Sequence, residues 1–104
     1  MNCLNSICIE GVSVGTPVLE TNVHKKCTMT LAVSRAYRDS KGQTMIETDN
    51  FEIKALGMTA EDCSRYATEG RMVRAVGRVA NERSVIDGKK TSRVVIIAEH
   101  VDFR

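Results

Sequence analysis

The sequence predicts an all-β fold, a five-stranded barrel with one short helix between strands three and four. Three observations carry it. Four separate stretches alternate apolar and polar residues with a period near two, and a fifth, Ser92 to Phe103, is rich in valine and isoleucine. Two clusters of turn-forming residues, Asp39-Ser40-Lys41-Gly42 and Asp87-Gly88-Lys89-Lys90, each lie between two such stretches, as hairpin tips do. Only the stretch after Gly57 switches to helical spacing. At 104 residues the chain has room for one domain, spanning residues 1–104, with a small core.

Strand one is expected from Asn5 to Val14, where Ile7, Ile9 and Val12 alternate with polar neighbours and Gly11 breaks the phase as a bulge does. Thr16-Pro17 reads as a turn, and Val18 to Val23 as an edge segment, because proline donates nothing to a central ladder. Strand two, Cys27 to Arg38, points Cys27, Met29, Leu31 and Val33 to one side, and the same phase runs on into Arg35 and Tyr37. Strand three, Met45 to Leu56, assigns Phe51, Ile53 and Ala55 to the core and Asn50, Glu52, Lys54 and Leu56 to the opposite face. The helix is expected to begin at a Thr59 N-cap, with Glu61 and Asp62 facing the positive end of its dipole, and to stop at Gly70. Strand four runs from Met72 to about Arg83, with Arg74, Val76 and Arg78 outward, and strand five from Ser92 to Phe103.

Composition narrows the function classes. With 42% apolar and 27% charged residues the chain reads as folded, and no run is long enough to cross a bilayer. The first charge is Glu10, so no basic-then-apolar secretory pattern opens the sequence, and a cytoplasmic location is the expectation. A net charge of +2 does not by itself identify a polyanion partner, so the placement of the fifteen Lys and Arg residues matters more. Cys3, Cys8, Cys27 and Cys63 form no close pair and read as reduced, buried side chains. No glycine loop for phosphates, no metal-ligand spacing and no nucleophile beside His24 or His100 is present, and Ser34 and Ser84 have no evident base, so no enzyme, cofactor or metal is expected.

Three strands, a helix and two strands is the order of an OB barrel, whose helix covers one open end. On that layout, the stretches NSICIEGVSVGTPVL, TLAVSRAYRDSKGQ, ETDNFEIKALGMTAE, EGRMVRAVGRV and VVIIAEHVDF together resemble the bacterial single-stranded DNA-binding protein family from Asn5 to Phe103. The resemblance implies a homo-oligomer, usually a tetramer, that binds single strands without sequence preference in replication, recombination and repair. It implies no catalytic residue. Tyr37 falls where the family keeps a stacking aromatic, with Arg35, Arg38 and Lys41 beside it for the phosphates. The alternative for Tyr37 is packing against its own hairpin or a neighbouring subunit.

Elsewhere the chain departs from the family's pattern. Asn50, Leu56 and Ser84 stand where aromatics are common, while Lys54, Arg74, Arg78, Arg83, Lys89, Lys90 and Arg93 keep a candidate cationic track. Phe51, Phe103 and Tyr66 are all expected in core phase. Family members generally carry a glycine-rich tail with an acidic tip after the barrel, and this sequence ends at Arg104. Three readings follow: a bacterial, nucleoid-associated single-strand binder; an accessory similar to the small dimeric primosomal OB proteins, with possible replication or primosome partners; and an OB module that binds protein through an apolar face near Met45, Leu56 and Val76. Ile7 and Ile9 on strand one point to pairing with a second copy, as at least a dimer.

Overall fold

A computed structural model describes all 104 residues, Met1–Arg104. Its elements run β1 (Ile7–Glu20), β2 (Lys26–Arg38), β3 (Thr44–Leu56), α1 (Met58–Tyr66), β4 (Met72–Ile86) and β5 (Lys89–Phe103). The strands close a barrel in the order β1-β2-β3-β5-β4, antiparallel except for β3 beside β5. Closure leaves few free edges, and α1 covers the end where β2 and β4 begin and β3 and β5 finish. The expected all-β barrel with its single helix is therefore the architecture found.

Inward alternation builds the core. Cys27, Met29 and Leu31 of β2 face Ile53 and Ala55 of β3, Val73 and Ala75 of β4, and Ile96 and Ala98 of β5, while Ala60, Cys63 and Ala67 press down from the helix segment. Leu31, Ile53 and Val73 are fully buried, each worth roughly 1.5 to 3 kcal/mol relative to exposure. Burial pushes the Cys63 thiol up to about 12 and raises that of Cys27, so both stay protonated and inert. Cys3 and Cys8, by contrast, are exposed, which corrects the expectation that all four cysteines are buried. Cys8 lies on the outward phase of β1, and Cys3 precedes the strand.

Several boundaries also differ from expectation. β1 does not stop at Val14: it continues to Glu20, and Pro17 sits in a register shift between Val14 and Val18, where a missing N–H costs no ladder bond. Gly11 is in regular register with Val73, not a bulge; a Cβ there would lie 2.6 Å from the Ala32 carbonyl oxygen, so the glycine permits a close crossing of β2. The helix begins at Met58 behind Gly57, whose φ of 65° turns the chain, and Thr59 makes no capping bond. Gly70 lies beyond the helix end at Tyr66, and its N–H donates to the Ser13 carbonyl (2.8 Å).

The hairpins are longer than the core they spring from. β2 and β3 pair without interruption to Arg38 and Thr44, and β4 and β5 pair to Ile86 and Lys89. Their far halves are solvent-exposed. Asp87 (φ 51°) and Gly88 (φ 77°) alone make the second tip, a two-residue turn, so Lys89 and Lys90 belong to β5. Both hairpins project from the barrel end opposite α1.

Candidate nucleic-acid interface

Tyr37 stands on the exposed part of β2, directly across from Met45 of β3, and retains 36% of its surface. The Arg35 guanidinium carbon lies 5.4 Å from its ring centroid, within cation–π range, and Arg35 Nε also approaches Glu47 Oε2 at 3.6 Å. Arg38 and Lys41 follow without a carboxylate partner. Asp39 makes no ion pair with either; its Oδ1 accepts from the Lys41 and Gln43 backbone N–H groups (both 2.9 Å). The hairpin tip is a half-exposed ring with unspent cations beside it.

The second hairpin carries an open groove of about 560 Å³ lined by Arg83, Ser84, Val85, Lys90, Thr91 and Ser92. Arg83, Lys90 and the neighbouring Lys89 are outside any ion pair, as is Arg78 lower on β4 opposite Ile97. Ser84 and Thr91 share a hydroxyl–hydroxyl bond (2.8 Å), as Ser34 and Thr48 do on the first hairpin (2.8 Å). Each hydroxyl therefore has a hydroxyl partner rather than a base.

Between the hairpins the expected cationic track is not continuous. Lys54 was placed on the outward face of β3, but its side chain is only 7% exposed and its ammonium donates to Glu82. Arg93 bonds both Glu82 Oε1 (3.1 Å) and Glu52 Oε2 (3.1 Å). The cause is the parallel pairing of β3 with β5, Lys54 opposite Ile97, which brings β4 and β5 against β3; a buried ammonium then needs a carboxylate. The Lys54 hydrogen bond and then that of Arg93 hold the Glu82 carboxyl below the usual carboxylate range. Arg74, likewise assigned to the track, is engaged by Glu10 (3.0 Å). The ion pairs of Glu52 and Glu82 are the feature of this surface that sequence reasoning missed.

The aromatics also depart from expectation. Phe51 keeps the inward phase opposite Leu31 but is 37% exposed, because it stands where the hairpin leaves the core. Tyr66, on the last turn of α1, is 42% exposed and packs on Phe103 with centroids 5.7 Å apart. Leu56 is exposed beside Val23 and Met58 in a shallow hollow at the helix start.

The single-strand binding protein family model matches residues 4–104, nearly the whole chain. The chain belongs to that family. A single-stranded DNA-binding protein of Aquifex aeolicus is 39% identical over 87 residues, covering 84% of this chain and 54% of its own length. The chain thus spans about half of that relative. Single-stranded DNA-binding protein 1 of Clostridium acetobutylicum is 29% identical over 104 residues, covering 96% of this chain and 93% of its own. Among solved structures, the small single-stranded DNA-binding protein of Streptomyces coelicolor matches with a TM-score of 0.76 at 25% identity, over 100% of this chain and 96% of that one. The Plasmodium falciparum SSB complex with ssDNA matches with a TM-score of 0.85 at 21% identity, over 100% and 97%, a likeness of fold. No helix of this family member is long and apolar enough to cross a membrane.

Proposed function

We propose that the chain is a non-enzymatic binder of single-stranded DNA that takes bases on Tyr37 and phosphates on the two hairpins, serving replication, recombination and repair. The observation that carries this reading is where the unpaired cations lie. Seven of the fifteen Lys and Arg residues are in ion pairs; of the eight that are not, Arg38, Lys41, Arg83, Lys89 and Lys90 lie on the projecting hairpins, Arg78 lies lower on β4, and Arg65 and Arg71 lie at the helix end. Cations left without carboxylates beside an exposed ring match a polyanion with flat faces. A base stacking on Tyr37 from the solvent side would extend the Arg35–ring contact into a three-layer stack. Labelled oligo-dT at low salt should bind, and a duplex of the same length should compete poorly. Equal binding of duplex and single strand would overturn the reading.

The charge network makes a second expectation specific. Neutralising Glu82 with Glu82→Gln removes a negative charge from the root of the second hairpin and leaves Arg93 held by Glu52 alone, so oligo-dT binding should tighten by roughly three- to tenfold at low salt, with a gain that fades as salt rises. Stability should fall, because Lys54 loses its carboxylate. The carboxyl's folded value is depressed, so its contribution to stability is full above the unfolded value near the ordinary glutamate range. It is lost as pH falls through the lowered folded value, and the variant's stability deficit should therefore shrink in acid. Unchanged affinity in Glu82→Gln would place the network away from the bound strand.

Self-association is part of the same reading. Ile9 lies in the core and Ile7 packs against it, so the exposed apolar edge expected at these two residues is not found; the exposed residues of β1 are Val12 and Val14, beside a stretch, Ile7 to Gly11, that pairs with β4 on one side and with no strand on the other. An unpaired edge next to exposed valines suits a second copy of β1. Sedimentation at micromolar concentration should give a dimer or tetramer, and a sharp monomer would contradict the pairing. The mass decides between a primosome-type dimer and a tetramer.

A further inference from the structure

We propose that the rim of the barrel at its helix end is a second contact for the same strand, with Tyr66 as the stacking ring and Arg65 and Arg71 as phosphate ligands; this rests on the reading of the chain as a single-strand binder. Tyr66 ends α1, 42% exposed, and leans on Phe103 at a tilt of 54°. Arg71 lies 5.5 Å from the Phe103 centroid and 6.0 Å from that of Tyr66, and Arg65 lies 5.9 Å from Tyr66. Two guanidiniums over one ring repeat the chemistry of Arg35 and Tyr37 at the opposite end of the molecule.

Neither guanidinium has a carboxylate within ion-pair distance. The field of Arg65 reaches Glu61, but that carboxylate is bound by Lys25, and Glu10 is taken by Arg74 and Arg104. Arg71 spends one long donor, 3.4 Å, on the Tyr66 carbonyl and keeps the rest. A planar cation lying over a ring leaves its edge N–H groups available to phosphate, while the ring offers its exposed surface to a base. An exposed ring with unspent cations fits a single-stranded nucleic acid better than a purely apolar partner.

Position gives the proposal its signature. Tyr37 is on a hairpin at one end and Tyr66 at the helix-covered end, across a molecule 52 Å in its longest dimension. A strand of about 6 nucleotides, near the lower limit of OB sites, reaches one ring; one of about 30 reaches both. Anisotropy titrations with dT of both lengths, on native protein, Tyr66→Ala, Tyr66→Phe and Arg71→Gln, test this. The long strand should bind Tyr66→Ala about five- to tenfold more weakly, Tyr66→Phe should restore it, and Arg71→Gln should reduce the salt slope for the long strand by about 0.7. The short strand should not distinguish the proteins. Native affinity at both lengths in Tyr66→Ala and Arg71→Gln overturns the second contact, as does an equal loss at both lengths or an altered sedimentation mass, which makes the rim a packing surface. Failure of native protein to bind either length overturns the primary reading instead.

Discussion

Tyr37→Ala should bind oligo-dT about tenfold more weakly than native protein, or weaker still, with a nearly unchanged melting temperature. Base–aromatic stacking is worth roughly 1 to 3 kcal/mol per base when the ring is truncated, and the hairpins offer no second tyrosine to compensate. Stability is spared because Tyr37 lies beyond the buried part of β2, where its contacts are Met45 across the ladder and Arg35 above the ring. Tyr37→Phe should keep most of the affinity, since the ring face and not the hydroxyl is used. Salt-sensitive binding indifferent to Tyr37→Ala would assign the ring to hairpin packing and leave the affinity to phosphate contacts.

Gly77→Ala should destabilise the barrel by about 3 kcal/mol or more, at the upper end of overpacking costs. A Cβ built at Gly77 would lie 1.8 Å from the Ile97 carbonyl oxygen, a backbone atom that cannot rotate away. The site coincides with the register shift between Val76 and Gly77, where β4 and β5 must approach closely while Glu99 is left out of the ladder. A small domain holds only about 5 to 15 kcal/mol in total, so the variant should show a much lower urea midpoint or fail to accumulate folded. A midpoint equal to that of native protein would show that the crossing is looser than this geometry.

Much of the architecture was legible because burial writes itself into alternation. Cys27, Met29, Leu31, Ile53, Ala55, Val73 and Ala75 all lie inside as their period requires. Where burial ends, so does the signal. The outer turns of β4 and β5 past Arg83 carry no apolar alternation, and only backbone pairing to Ile86 and Lys89 defines them. Phe51 and Tyr66 kept their phase but not their burial, since each stands where its element runs past the core. Lys54 and Arg93 were misread for a different reason: their partners Glu52 and Glu82 are brought together by the parallel neighbours β3 and β5, a pairing that chain order alone does not specify. The hairpin cations Arg38, Lys41, Arg83, Lys89 and Lys90 were legible because charge on a projecting turn has few neighbours to neutralise it.

The most direct test of single-strand binding is the affinity of native protein for labelled oligo-dT across a salt series. Each phosphate contact on a single strand contributes about −0.7 to the slope of log K against log salt, so the unpaired hairpin cations and Arg78 set a slope of roughly −2 to −4 per protomer. Tight binding at low salt with a slope in that range is the predicted result. A flat profile, or no binding at low salt, would contradict the account and favour a protein as the partner instead.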